Sequence, residues 1–223
     1  MASVLCGCRV PLHAAVATMA FVLATGFQSV AASLILTNGD FSNVSGLTPA
    51  GDWYFGVPDG WNTANSTGVG TPTYSVYAGG GSPNVANLSQ LGNLAGGFNP
   101  LYQTIGSLDS TGTVTLTFET RNDWTPATPI SVGVGIYPAS EIGTWGSPFN
   151  FATFTTTGSQ TLQATGVNAA VPLAVAFWTA GGTPGLDNVV VVPEPSSAML
   201  MLLSAMGLGG FAAFRRRDAS INP

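Results

Sequence analysis

Between Thr113 and Thr120 the chain reads TVTLTFET, and its apolar side chains fall on every second position. Val114, Leu116 and Phe118 share one face, Thr115 and Thr117 the other, which is the period of a half-buried β-strand. ISVGVGIY repeats the pattern with Ile130, Val132, Val134 and Ile136, and LAVAFWT with Leu173, Val175 and Phe177. FATFTTT, TLQAT and DNVVVV read as shorter strands. Clusters of glycine and proline interrupt these runs: GVPDGW, AGGGSPN, LAGGFNP, TPATP and TAGGTPG. No segment of the body, residues 33–192, carries the sustained 3.6-residue period of an amphipathic helix. Many short strands joined by such turns predict an all-β fold, a β-sandwich of the jelly-roll type. A body of this length forms one domain able to bury a full core.

The two ends are built differently. Ser196 to Phe214 is a run of 19 residues without a charge. As a helix rising ~1.5 Å per residue it reaches ~28 Å, just enough for a hydrocarbon core of about 30 Å. Arg215, Arg216 and Arg217 follow as a cytoplasmic anchor, leaving residues 218–223 as a short cytoplasmic tail. Pro193 and Pro195 mark the start of the helix, so the boundary between body and tail is expected after Val192. At the other end Arg9 precedes the apolar PLHAAVATMAFVLATGF, and SVAAS places small residues at Val30 and Ala32. Residues 1–32 therefore read as a secretory signal peptide cut before Ser33, with the Sec translocon as the route of export.

Composition narrows the chemistry. Only 7% of the chain is charged, against about 25% in typical soluble domains. The body holds one cation, Arg121, and no Lys, Cys or His, so nucleic acid is excluded as a partner for want of a basic patch. The same absences exclude a Ser-His-Asp triad, an ordinary zinc site, a thiol nucleophile and a Schiff base. Carboxylate chemistry remains, on Asp40, Asp52, Asp59, Asp109, Glu119, Asp123, Glu141 and Asp187. Glycoside hydrolysis needs two acids roughly 5–10 Å apart. These are scattered and mostly in turns, and the chain is expected not to be an enzyme.

VPEPSSAMLMLLSAMGLGGFAAFRRR resembles the PEP-CTERM sorting signal of Gram-negative bacteria. Val192, Pro193, Glu194 and Pro195 match its motif, and Arg215 to Arg217 match its basic end. The resemblance implies recognition by an exosortase-type membrane protease and removal of the tail. The protein is then a transient inner-membrane passenger bound for the cell surface or an exopolysaccharide matrix.

A second resemblance covers most of the body. LTNGDFS opens it, PDGW follows and GLDNVVVV closes it, a frame similar to galactose-binding-like jelly rolls and to carbohydrate-binding modules of families four and nine. Asn38, Gly39, Asp40 and Phe41 match the opening; Asp187, Asn188 and Val189 match the close; Gln103 takes the place of a Gln before the central strand. Ser42 stands where that family often has Glu.

In such a fold the first and last strands lie close, so Asp40 and Asp187 either approach each other as ligands of a structural calcium ion or are plain turn residues. Sugar binding needs aromatic platforms flanked by polar side chains. Trp61, in PDGW, is expected in the core, and Trp178 lies in a strand. Trp124 and Trp145 fall in loops and are the candidate platforms, with Arg121, Asn122 and Asp123 beside Trp124 as polar contacts. Gly133 and Gly135 strip one face of a strand, either opening a shallow groove or letting a loop pack closely. Two functions stand: a surface protein that binds polysaccharide, or a structural and adhesive matrix protein without a specific ligand. Ice binding by a Thr-rich face through Thr115 and Thr117, and carboxylate hydrolysis, rank below both.

Overall fold

The computed structural model describes residues 34–63, 74–78, 84–88, 100–123 and 128–194. Twelve strands fall within them: β1 (Thr48–Ala50), β2 (Trp53–Phe55), β3 (Asn62–Thr63), β4 (Ser75–Tyr77), β5 (Val85–Asn87), β6 (Leu101–Gly106), β7 (Gly112–Arg121), β8 (Ser131–Pro138), β9 (Asn150–Phe154), β10 (Gly158–Val167), β11 (Leu173–Gly181) and β12 (Gly185–Glu194). One short 3-10 turn, Ala139–Glu141, is the helical element among them. All described pairings are antiparallel. They make two sheets, a seven-stranded one in the order β1-β2-β4-β5-β12-β7-β10 and a five-stranded one in the order β3-β6-β11-β8-β9. The fold is an all-β sandwich, as the alternation predicts.

Each sheet turns its apolar positions toward the other. Val114, Leu116 and Phe118 of β7 meet Leu173, Val175 and Phe177 of β11 and Val132, Val134 and Ile136 of β8 in one core. Rings join the sheets: Phe118 lies edge-on to Phe177 at 5.3 Å and to Phe154 at 5.1 Å. Burying side chains of this size is the largest favourable contribution to folding, about 1.5–3 kcal/mol for each.

The opening and closing segments meet at one end of the core. Phe41 is fully buried and stacks on Trp61 at 5.4 Å, and the Trp61 indole donates to the Asn38 carbonyl at 3.1 Å. Trp61 is thus a core residue. Val189 N–H donates to the Gly39 carbonyl at 2.9 Å, tying the first turn to β12. Gln103, buried on β6, accepts from Thr37 N–H at 2.6 Å and donates back to its carbonyl at 2.9 Å.

β12 continues to Glu194, two residues past the end expected at Val192, and Pro193 lies within it. Pairing to β5 involves only Gly185 and Leu186, so beyond them, among the described residues, β12 pairs with β7 alone. A proline that lacks its N–H fits such a position. The signal peptide 1–32, Pro195, the apolar run 196–214, Arg215 to Arg217 and the tail 218–223 lie outside the described residues. Among the described residues no helix is long and apolar enough to cross a membrane.

Candidate functional site

Alternation that sends Val132, Val134 and Ile136 inward sends Gly133, Gly135 and Tyr137 to the outer face of the five-stranded sheet. On β11 the same rule turns Ala174, Ala176 and Trp178 to that outer face. The two central strands therefore offer glycine and alanine where most sheets carry large side chains. The cross-strand row Tyr102, Ala176, Gly135 and Phe151 runs over β6, β11, β8 and β9, and Trp178 and Thr153 flank Gly133 in the next row.

Rings fill the space above these small residues. A Cβ on Gly133 would lie 2.0 Å from Cε2 of Trp178, and one on Gly135 would lie 2.3 Å from Cε2 of Tyr137. Both glycines are required by close approach of a ring, and Ala174 and Ala176 are fully covered. Trp145 completes the cluster, edge-on to Tyr137 at 5.5 Å and to Tyr102 at 6.2 Å.

Trp145 is held there by its loop. Its N–H donates to the Glu141 carbonyl at 2.7 Å, and the Glu141 carboxylate accepts from the Thr144 hydroxyl at 3.1 Å. Its φ of 52° is left-handed, an uncommon conformation for a bulky side chain. Such strain persists where surroundings fix it, and it accompanies functional sites. Tyr137, Trp145, Gly146, Pro148, Phe151 and Trp178 line a cleft of about 370 Å³. Phe151 is 62% exposed at its rim. Burial raises the pKa of the Tyr137 phenol, which keeps it protonated.

The polar residues expected beside a platform lie elsewhere. Arg121, Asn122 and Asp123 follow from β7, in the seven-stranded sheet, and border a different cavity with Glu119, Thr157 and Gly158. The sequence groups them with their chain neighbour Trp124, whereas Trp145 follows β8 of the other sheet. Arg121 Nε pairs with Asp123 at 2.9 Å, and its Nη1 lies 3.6 Å from Oδ2 of the fully buried Asp187. The second contact is an ion pair too long for a good hydrogen bond. Asn122 donates to the Thr128 carbonyl at 2.8 Å. Trp124 lies outside the described residues.

Asp187 is the most perturbed acid. Burial lifts its pKa to about 6, opposed by the Asn188 N–H and by Arg121, and aided by Glu119. Asp40 is exposed and accepts from the Ser42 N–H at 3.2 Å and hydroxyl at 2.9 Å, an Asx turn. The two aspartates share no partner, and Asp187 already faces a guanidinium. Among the described residues no group of three or more His, Cys, Asp or Glu is placed to hold a metal. The segments that carry Asp40 and Asp187 meet at the Val189–Gly39 hydrogen bond.

The sequence singled out Trp145 and the paired glycines, and the structure sets Tyr102, Tyr137 and Phe151, which it did not single out, beside them. The available signal was GVGIY, in which Tyr137 follows Gly135 by two and so shares its face.

These features define an all-β sandwich protein with an aromatic cleft on one sheet. The chain carries a PEP-CTERM protein-sorting motif, matched over residues 191–217, which marks it for export and membrane-associated sorting. Among solved structures it is similar to a CBM4 carbohydrate-binding module, at 18% identity over 72% of this chain and 100% of that one, TM-score 0.46. It is also similar to the K3 cleaved adhesin domain of Lys-gingipain from Porphyromonas gingivalis W83, at 22% identity over 61% and 91%, TM-score 0.41. A third is the CBM22-1 xylan-binding domain of Paenibacillus barcinonensis Xyn10C, at 12% identity over 73% and 96%, TM-score 0.38. Among curated proteins none matches the chain.

Proposed function

We propose that this chain is a non-catalytic surface or matrix protein whose jelly-roll sandwich binds polysaccharide in the cleft over β8 and β11. The observation that carries the reading is the platform itself: Trp178 and Tyr137 lie against Gly133 and Gly135, Trp145 stands edge-on to Tyr137 and Tyr102, and Phe151 lines the same cleft. Sugar C–H faces stack on such rings, while a phenol and main-chain groups offer hydrogen bonds to hydroxyls. Glycosidic cleavage needs two carboxyl groups across the bond, and among the described residues at this cleft one carboxylate, that of Glu141 against Gly146, is near it. Export through the Sec translocon and release by an exosortase-type protease deliver the domain to the cell surface, where polysaccharide is the abundant ligand.

The test is a polysaccharide panel assayed against the exported domain and its Trp145→Ala and Trp178→Ala variants. Saturable binding that falls about ten-fold or more in either variant, with the fold retained, supports the proposal. A folded wild type that binds no member of the panel moves the weight to a structural matrix protein without a specific ligand.

A further inference from the structure

The sorting motif and the sandwich overlap. Val192, Pro193 and Glu194 are the last residues of β12, in register with Thr115, Val114 and Thr113 of β7. The Glu194 carboxylate lies across the outer face of the seven-stranded sheet. Its Oε1 accepts from the Thr115 hydroxyl at 2.5 Å and from Gln163 Nε2 at 2.9 Å, and Gln163 also donates to the Thr115 hydroxyl at 3.2 Å. Thr115 and Gln163 face each other across β7 and β10, so two strands of the domain grip the acid of the motif.

The apolar run begins at Ser196, two residues after Glu194, a reach of at most ~7 Å. A membrane enzyme approaching this junction meets a strand end already paired to β7. Proteins that take up an extended segment do so through its main-chain groups, and here those on the β7 side are occupied.

We propose that Thr115 and Gln163 are positioning residues for the sorting motif: they clasp Glu194 to the sheet, and processing proceeds from the state in which the end of β12 has left β7. This rests on the export and processing reading above. The clasp thus makes the folded sandwich restrain processing and sets its rate by fraying of one strand end. The two clasping side chains lie outside the motif, so they can be altered while the motif stays intact.

The experiment follows conversion of full-length precursor by pulse-chase in cells with and without the exosortase-type protease. Thr115→Val with Gln163→Leu removes the donors, Gln163→Glu sets a second carboxylate against Glu194, and Gln163→Arg replaces the hydrogen bond by an ion pair. All three changes are at solvent-facing positions. Conversion about three- to ten-fold faster than wild type is expected for the first two, as for losing one or two exposed hydrogen bonds, and slower conversion for Gln163→Arg. Amide exchange at Val192 and Glu194 in the full chain should change in the same order. Opposite effects of Glu and Arg at one site, with melting temperature unchanged, are not produced by a merely structural role. Equal rates in all variants, with wild type converted only where the protease is present, would overturn the clasp alone. No conversion of wild type in either host would overturn the processing reading and the clasp with it.

Discussion

The two outer faces of this sandwich are made from opposite materials. On the five-stranded sheet, β8 and β11 present glycine and alanine, and large rings lie down on them. On the seven-stranded sheet the rows read Val192, Thr115, Gln163 and then Val190, Thr117, Thr161, side chains of similar size that form a level surface. Inward patterning is the same in both, since each packs alternate apolar residues against the other. Size contrast on the outward positions makes the difference: small next to large yields a cleft, and equal sizes yield a plain. A ligand of substantial curvature is held by the first and not by the second.

At one end the plain face hides a charge, and there the largest stability effect is expected. Asp187 is fully buried and Arg121 is its cation. Arg121→Met keeps the bulk and leaves the carboxylate unpaired, which should cost about 3 kcal/mol or more at pH 8, measured by denaturant unfolding. Below pH 5 the loss should shrink, because a protonated Asp187 no longer needs a counter-charge. A variant equally unstable at both pH values would show that Arg121 acts by packing alone.

The wild type should show the same group in its pH profile. The folded-state pKa of Asp187, about 6, lies above its ordinary value of 3.8, so the folded protein holds the proton more tightly. That contribution is complete below 3.8 and is lost as pH rises through 6. A shift of this size corresponds to up to about 3 kcal/mol, so stability should fall between pH 4 and 7 and the fall should flatten in Asp187→Asn. A profile that rises over that range in the wild type would contradict the burial effect.

Inward residues were legible in the sequence because the strand period is unambiguous: Val114, Leu116, Phe118, Val175 and Phe177 stand where the alternation puts them. Trp61 was legible from its place in PDGW. The cleft was half legible. Gly133 and Gly135 announce an empty face, but which ring fills it depends on the cross-strand register, which sets Trp178 opposite Gly133. Arg121, Asn122 and Asp123 were grouped with Trp124 by chain adjacency, and they stand apart from the Trp145 cleft because β7 and β8 part into opposite sheets. The end of β12 was misjudged because Pro193 reads as a breaker unless β12 is known to pair there, among the described residues, with β7 alone.

Gly133→Val strikes the cleft from beneath. Its Cβ would sit 2.0 Å from the Trp178 indole, so the ring must leave its seat. Overpacking of this kind costs about 1–3 kcal/mol, and the cleft should lose saturable polysaccharide binding with it. Retained binding at wild-type affinity would remove Trp178 from the platform.

The matching change on the plain face should do almost nothing. Thr117 stands between Val190 and Thr161 in an open row, with β-branched neighbours on both sides. Thr117→Val keeps shape and strand propensity and exchanges an exposed hydroxyl for a methyl, so unfolding should shift by no more than about 0.5 kcal/mol. Polysaccharide binding should be unchanged, since the side chain lies on the sheet opposite the cleft. A clear loss of binding in this variant would place the ligand on the level face and reverse the roles of the two sheets. With Asp187 already paired to Arg121, adding a calcium chelator should leave both the melting temperature and the binding curve where they were.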